Sequence, residues 1–399
     1  GSLRRLDRQA LPEQADEVRL YTVIRNERWR LAWFCDYYRK IGVNRFFFVD
    51  NDSSDGSREW LLEQPDVHVF HTTESYASAY SGMRWVNHLV RRFGQIGWTM
   101  YVDVDEAFVF PNIEAIGLKG LIQQMDENND DVIQSFMVDM FAEESHDLTP
   151  EGFELDFIRH YPLFENNFDF TPSPFCPYVH TSGGARRGFG HHENLTKTPL
   201  IRGGRDIQFL LSSHRVTPGQ VCETTGANLH FKLAGDCLAA FQQDLNNNQR
   251  IAYCRQRHQT YLDRWDDGVF NLRSSRTERY ESSQTLVDAG LLQVAMAEAK
   301  KSCDFVRLGD AVDRRLLKLE LHCGPEDWRA ANLNPLLAAI QFGNDRRTNH
   351  ERMARLLDVV SRKFPTALSG QLAICRLKFA LGDHEGFVAG VEALAGRDQ

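Results

Sequence analysis

The sequence has few features of a secreted, membrane-spanning or nucleic-acid-binding protein. Its eight cysteines are scattered over 399 residues without a Cys-x-x-Cys pair, which indicates neither a disulfide framework nor a zinc ribbon. It contains no run of about 18 apolar residues and begins without a signal-peptide pattern. Because the net charge is −9, a general nucleic-acid surface is not expected. These absences favour a reduced, cytoplasmic protein.

The composition is that of an ordinary globular protein long enough for two domains. Hydrophobic residues make up 42% and charged residues 25% of the chain. From residue 18 onward, strand-like and helix-like segments alternate, which predicts an α/β fold with a doubly wound, mostly parallel sheet. Predicted strands are Val18–Ile24, Arg45–Asp50, Val67–His71, the run from Trp98 and Asp131–Met140; predicted helices are Trp29–Ile41 (ended by Gly42), Ser57–Gln64, Ser78–Phe93 and a segment near Leu118–Met125.

The second half of the chain has a different character. Residues 145–230 are rich in proline, glycine and aromatic residues, which is typical of a functional segment, and we expect the acceptor side of a pocket there. From about residue 285 the sequence becomes helical and rich in alanine and leucine. Four segments resemble helix-hairpin repeats of the tetratricopeptide type: Leu336–Phe342, Met353–Lys363, Leu368–Ala380 and Glu385–Ala395.

The most informative stretch is Trp98–Pro111, an apolar run that ends in Asp103 and Asp105. Side chains two residues apart on a strand share a face, so both carboxylates should project together from the strand end. Open α/β sheets bind ligands at such ends. Two converging carboxylates repel unless a cation or proton intervenes, and their oxygens suit Mg²⁺ or Mn²⁺. A pair of solvated turn residues is the alternative interpretation.

Two further polar clusters follow predicted strands. Arg25-Asn26-Glu27 follows the first strand, and Asp50-Asn51-Asp52-Ser53-Ser54-Asp55-Gly56-Ser57 follows the second. Turn and helix-cap preferences explain part of both clusters. If the first, second and fourth strands are neighbours, all three polar clusters converge on one crevice, which independent caps would not predict.

These residues resemble a known family. Thr22–Ser57 and Trp98–Pro111 are similar to bacterial family 2-like glycosyltransferases of the GT-A fold, which carry Asn-Glu, Asp-Asn-Asp-Ser and Asp-x-Asp-Glu signatures. The resemblance covers about residues 18–245. It implies a GT-A-type domain over 18–285, with a nucleotide-binding half at 18–110 and an acceptor half at 111–285, before a smaller α-helical domain at 286–399.

The resemblance also implies a reaction and the residues that carry it. A sugar, most simply a hexose, would pass from a nucleotide sugar (a UDP-sugar is favoured) to a hydroxyl of a glycan, lipid-linked or polysaccharide acceptor. Mn²⁺ or Mg²⁺ would be held by Asp103, Asp105 and His230, although a histidine between leucine and phenylalanine is more often a core residue. A peripheral position at the inner membrane stays open. The implied nucleotide-sugar contacts are Arg25, Asn26, Glu27, Asp50, Asp52, Arg84, Asn87, Asp103, Lys197 and Lys232, with Arg84 and Asn87 equally compatible with a solvated helix face.

Direct displacement would need a base that deprotonates the acceptor, and the sequence does not identify it. Inverting and retaining chemistry both stay open. Adjacent His191 and His192 cannot both face one site on a strand, so His191-His192-Glu193 is interpreted as a loop. The candidates for the base are Glu165, Asp169, Glu193 and His214.

Two other functions compete with this interpretation. A haloacid-dehalogenase-type phosphohydrolase also uses Asp-x-Asp after a strand, but its motif normally continues to Thr or Val where this chain has Ala107. That motif also belongs on the first strand, whereas here it follows three. A non-catalytic nucleotide-binding or scaffold protein could use the helical tail for a protein partner or self-association. The intact acidic clusters argue against it.

Overall fold

The fold is described from a computed structural model. It covers residues 3–12, 16–143, 155–172, 179–205, 207–210, 212–216, 219–235, 237–246, 252–264 and 272–292. Described residues up to Thr171 and from Val179 onward belong to one compact unit. The four predicted repeat helices between Leu336 and Ala395 lie outside the described residues.

Strands and helices alternate through the first part of this unit. The strands are β1 (Arg4–Arg5), β2 (Val18–Ile24), β3 (Arg45–Asp50), β4 (Val67–His71), β5 (Trp98–Tyr101), β6 (Glu106–Val109), β7 (Val132–Asp139), β8 (Leu163–Glu165), β9 (Asp169–Pro172), β10 (Val179–Ser182), β11 (Thr196–Arg202), β12 (Phe209–Leu210), β13 (Ser212–Val216), β14 (Gly226–His230) and β15 (Thr277–Arg279). The helices are α1 (Arg28–Ile41), α2 (Ser57–Leu62), α3 (Met83–Phe93), α4 (Ile113–Glu127), α5 (Phe157–His160), α6 (Cys237–Asn246), α7 (Ala252–Asp263) and α8 (Ser283–Asp288), with a 3₁₀ segment at Gly184–Phe189. None of these helices is long and apolar enough to cross a membrane.

A nine-stranded sheet organises the unit in the order β1-β4-β3-β2-β5-β11-β7-β14-β6. Strand β2 pairs in parallel with both β3 and β5, and β3 pairs in parallel with β4. Strand β11 is antiparallel to both of its neighbours, and β6 is antiparallel to β14. The predicted α/β class is therefore confirmed as a large mixed, mostly parallel sheet. The first, second and fourth predicted strands correspond to β2, β3 and β5. Their predicted adjacency is also confirmed.

Hydrophobic side chains on both faces of β3 explain why the sheet is covered on both sides. Phe46, Phe47 and Phe48 are all fully buried, and successive side chains on a strand point to opposite faces. Phe46 and Phe48 belong to the same core cluster as residues of α1. On the other face Phe47 stacks on Phe93 of α3, with ring centroids 5.6 Å apart. Both faces of this part of the sheet are thus covered by apolar helix side chains, as parallel strands require.

Two local predictions are corrected by the backbone. The helix predicted from Ser78 begins at Met83, because Tyr80, Ser81 and Gly82 have φ values of 53°, 53° and 78°, in the left-handed region. The strand before Asp103 ends at Tyr101, and the turn that follows leads into β6. The Glu106 N–H donates to the Asp103 carbonyl at 3.0 Å and closes this turn. The two aspartates therefore do not share one face of a strand.

Candidate active site

Strand register brings the acidic turn and two distant strands together. His230, the last residue of β14, pairs across the strands with Glu106 of β6 on one side and Asp139 of β7 on the other. Residues opposite each other in a ladder have neighbouring side chains on the same face. The sheet thus places one histidine between two acidic residues that lie far from it in sequence.

Lys197 of β11 holds Asp103 and Glu106. Its Nζ lies 2.6 Å from Asp103 Oδ2 and 2.8 Å from Glu106 Oε1, and it donates to Ser213 Oγ at 2.9 Å. The Tyr101 hydroxyl donates to the other oxygen of Asp103 at 2.9 Å. The ammonium group thus donates hydrogen bonds to Asp103 and Ser213 and forms an ion pair with Glu106. Lys197, a predicted nucleotide-sugar contact, braces two carboxylates in this structure.

Burial and pairing shift the pKa values of these groups in opposite directions. Burial would raise the pKa of Asp103, but the Lys197 charge, together with hydrogen bonds from Lys197 and Tyr101, lowers that pKa below its usual value. Burial dominates at Glu106 and raises its pKa, while the two carboxylates raise the pKa of Lys197 against its own burial. The lysine therefore stays charged at neutral pH.

Asp105 has different partners. Its Oδ2 lies 3.6 Å from His230 Nε2 and 3.6 Å from Nη1 of the buried Arg30. On the other side of the imidazole, Nδ1 is hydrogen-bonded to Asp139 Oδ1. Burial would lower the pKa of His230, but Asp105 and Asp139 raise it to about 9. Burial would raise the pKa of Asp105, but mainly His230 holds it well below its ordinary value.

Asp105, Glu106 and His230 can together hold a metal ion. Each offers one ligand atom, and these atoms lie within 4.8 Å of one another. Two carboxylates and an imidazole form a donor set that suits a divalent cation such as Mn²⁺. This set differs from the predicted one, because it includes Glu106 in place of Asp103. The Asp-x-Asp-Glu signature in the sequence contains Glu106, but sequence reasoning did not name it as a candidate ligand.

A chain of buried charges continues behind His230. Arg186 binds Asp139 with two groups, Nε at 2.7 Å from Oδ2 and Nη2 at 3.2 Å from Oδ1. Its Nη1 donates to Glu193 Oε2 at 2.8 Å, and Arg257 of α7 donates to the same oxygen at 2.9 Å. Glu193, a candidate base, is thus held between two arginines.

The other three candidate bases also have structural partners. Glu165 accepts hydrogen bonds from the Ser274 and Thr277 hydroxyls, which fixes β15 beside β8. The exposed Asp169 forms an ion pair with Arg187. His214 Nδ1 lies 2.7 Å from the Thr196 carbonyl oxygen, and burial lowers the pKa of this histidine to about 3. His214 is therefore neutral at physiological pH.

The loops after β2 and β3 meet as predicted. Asn26 Oδ1 accepts from the Ser54 N–H at 2.8 Å, and the Asn26 N–H donates to Ser53 Oγ at 3.0 Å. Glu27 Oε2 lies 3.2 Å from Nε of Arg30, the same arginine that faces Asp105. Arg30 therefore links the first polar cluster to the acidic turn, and sequence reasoning did not identify it. Arg25 is exposed at the end of β2.

The aspartates after β3 differ in exposure. Asp50 is fully buried and accepts from Arg58 Nε at 2.6 Å and from the Ser53 N–H at 3.0 Å. The Asp52 side chain is 55% exposed and lies 3.7 Å from Arg58 Nη2 and 3.4 Å from His71 Nε2. Asp50 thus shapes the loop, whereas Asp52 presents a carboxylate to solvent.

Three other predicted contacts have separate partners. Arg84 forms an ion pair with Glu74. The Asn87 amide exchanges hydrogen bonds with the Phe209 backbone, at 2.7 Å and 3.0 Å, and lines a cavity of about 210 Å³ beside α3. The Lys232 ammonium lies 5.8 Å from the Phe241 ring centre and helps to lower the pKa of Asp105. Lys232 thus influences the acidic turn through its charge.

The sequence shows no significant match to a protein-family model or to a curated protein. The interpretation of the site therefore depends on its own residues and geometry.

Proposed function

We propose that this protein is a metal-dependent glycosyltransferase that moves a sugar from a nucleotide sugar to a hydroxyl acceptor. The observation that carries the proposal is the convergence of Asp105, Glu106 and His230, with ligand atoms within 4.8 Å of one another. The contacts of Arg30 with Glu27 and Asp105 join this cluster to the loops after β2 and β3. A cation site beside polar loops at the ends of parallel strands fits a nucleotide diphosphate.

Asp105, Glu106 and His230 would hold Mn²⁺ or Mg²⁺. When bound, the cation would neutralise the donor diphosphate and relieve the charge that develops on the leaving nucleoside diphosphate. Arg30 and Lys232 both lower the pKa of Asp105, so both carry positive charge close to the site. Both would be placed to bind phosphate oxygens, whereas Lys197 is held by Asp103, Glu106 and Ser213.

The exposed groups after β2 and β3 would bind the nucleoside. Asp52 is 55% exposed, and carboxylate oxygens accept hydrogen bonds from ribose hydroxyls. Asn26 lies beside it in the joined loops, and the buried Asp50 would hold Arg58 rather than touch the ligand. A UDP-sugar is the favoured donor. The acceptor would be a glycan, a polysaccharide or a lipid-linked molecule. With a lipid-linked acceptor, the protein would act peripherally at the inner membrane.

The rival phosphohydrolase would use Asp103 as its nucleophile. Both oxygens of Asp103 accept hydrogen bonds, one from Tyr101 and one from Lys197. These two hydrogen bonds and the Lys197 charge stabilise the Asp103 carboxylate and so lower its nucleophilicity. This arrangement favours a positioning role for Asp103 over a nucleophilic one.

The test is nucleoside diphosphate release from UDP-sugars and GDP-sugars, with Mn²⁺ and then with EDTA, together with thermal stabilisation by each nucleotide. Metal-dependent release supports the transferase. Release of phosphate from a simple phosphate ester would favour the phosphohydrolase, and metal-dependent nucleotide binding without turnover would favour a binding protein. An absence of nucleotide binding under every metal condition would contradict the proposal.

A further inference from the structure

His230 is held on the side opposite Asp105 by a carboxylate outside the candidate ligand set. Its Nδ1 is hydrogen-bonded to Asp139 Oδ1, while Nε2 lies 3.6 Å from Asp105 Oδ2. A neutral imidazole has one nitrogen that donates and one that accepts. If Nδ1–H donates to Asp139, the lone pair of Nε2 faces the acidic turn. A histidine that binds a metal ion there must present this lone pair to the ion.

Asp139 is itself fixed in one orientation. Arg186 binds both of its oxygens, at 2.7 Å and 3.2 Å, and Glu193 holds that arginine at 2.8 Å. The side chains of Asp139 and Arg186 are only 6% and 5% exposed. Burying such a pair costs desolvation energy that its own attraction often does not repay. The arrangement is therefore better explained by what it orients than by its contribution to folding.

We infer that Asp139, held by Arg186, is a positioning residue that fixes His230 as a ligand and sets the affinity of the site for a divalent cation. The inference rests on the proposed function only for the presence of the cation. Outer carboxylates that orient a metal-bound histidine typically change metal affinity by about 10- to 100-fold when they are mutated.

Asp139→Asn is the direct variant. An amide can turn its NH₂ toward Nδ1, which would put the ring proton on Nε2 and remove the lone pair that a cation needs. Asp66→Asn is the matched control, because Asp66 also binds an arginine with both oxygens, at 2.8 Å and 2.7 Å from Arg39. Asp66 has no part in the candidate site.

The experiment measures binding of Mn²⁺ alone to the full chain, from the electron paramagnetic resonance signal of the free ion at fixed pH. We expect Asp139→Asn to weaken binding by about 10- to 100-fold, and Asp66→Asn to match the unmodified protein. Equal affinity in all three proteins would overturn the inference and leave the transferase proposal intact. If the unmodified protein binds no Mn²⁺, both fail; if Asp139→Asn weakens binding but no sugar is transferred, only the transferase proposal fails.

Turnover gives a second readout that a merely structural role would not move. With Asp139→Asn, the Mn²⁺ concentration for half-maximal turnover should rise by about 10- to 100-fold, in step with the loss of Mn²⁺ affinity. A general folding defect would lower kcat and leave the Mn²⁺ requirement unchanged, which would contradict the inference. If Asp139→Asn does not fold, Arg186→Gln replaces it: a several-fold loss of Mn²⁺ affinity supports the inference, and an unchanged affinity overturns it.

Discussion

The two aspartates of the Asp-x-Asp motif lie two residues apart but have different kinds of cationic partner. Asp103 is paired with Lys197, which also contacts Glu106 and Ser213, so this lysine holds the carboxylates on its side of the site in place. Asp105 faces His230, whose cationic form can lose a proton and become a ligand. In the proposed site, His230 would exchange this proton for a metal ion. The motif would thus combine a permanent brace at Asp103 with an exchangeable position at Asp105.

The largest expected effect comes from the histidine side. Asp105→Asn keeps the shape of the side chain but removes a charged candidate ligand, and we expect Mn²⁺-dependent nucleotide binding and turnover to be abolished. Isothermal titration with Mn²⁺ and assays of nucleoside diphosphate release measure this. Asp131→Asn, on the residue before β7, is a control that also loses ion pairs with arginines. Unchanged Mn²⁺-dependent release would refute the assignment of Asp105.

On the lysine side the main expected loss is stability. Lys197→Met leaves Asp103 and the fully buried Glu106 without their cation, and breaking a buried pair typically costs about 3–5 kcal/mol. Urea unfolding in EDTA measures the free energy of unfolding. Lys232→Met, which loses a cation–π contact, should cost about 1 kcal/mol or less. Equal losses in the two variants would contradict the bracing role of Lys197.

The pH dependence of stability should separate the two sides in the metal-free protein. His230 has a folded-state pKa of about 9, above the ordinary histidine value of 6.5. Its stabilising contribution is therefore fully present below pH 6.5 and is lost as the pH rises through about 9. Asp105 and Asp139 have lowered pKa values and Lys197 a raised one, so these groups keep their charge throughout that window.

We expect the difference in unfolding free energy between the unmodified protein and His230→Gln to shrink between pH 6.5 and 9. Denaturant titrations in EDTA at several pH values provide the measurement. A difference that stays constant or grows with pH would show that His230 is uncharged in the metal-free fold.

The smallest expected effect lies in the loop after β3. Asp52→Asn should raise the KM for the nucleotide sugar by roughly 2- to 10-fold, the value of one hydrogen bond, without changing Mn²⁺ affinity. Steady-state kinetics at saturating Mn²⁺ would show it. A change in Mn²⁺ affinity instead would place Asp52 in the metal site and extend the exchangeable position beyond Asp105.

The sequence predicted those strands and helix ends that are determined by neighbouring residues in the chain. The strands Val18–Ile24, Arg45–Asp50 and Val67–His71 and the end of α1 at Gly42 are as predicted, because apolar runs and a left-handed glycine define them. The insertion of β11 between β5 and β7 was not predicted. No local signal shows that a strand nearly 100 residues downstream of β5 pairs with it.

The same limit explains the differences at the site. Asp103, Asp105 and His230 were identified from sequence, but the separation of the two aspartates depends on a turn that begins after Tyr101. Lys197 was assigned to the nucleotide sugar from the resemblance. Its contact with Asp103 could not be predicted, because the two residues meet only when β11 lies beside β5. Asp139 went unnoticed, since only the β7–β14 register brings it to His230.

The most direct test is the number of protons released when Mn²⁺ binds. Titration calorimetry at pH 7, in buffers with different ionisation enthalpies, measures that number. Because the His230 pKa is about 9, the imidazole is charged before binding and must lose its proton to become a ligand. We therefore predict release of about one proton per Mn²⁺ in the unmodified protein and none in His230→Gln. Tight Mn²⁺ binding without proton release would contradict the exchange of a proton for a metal ion at His230.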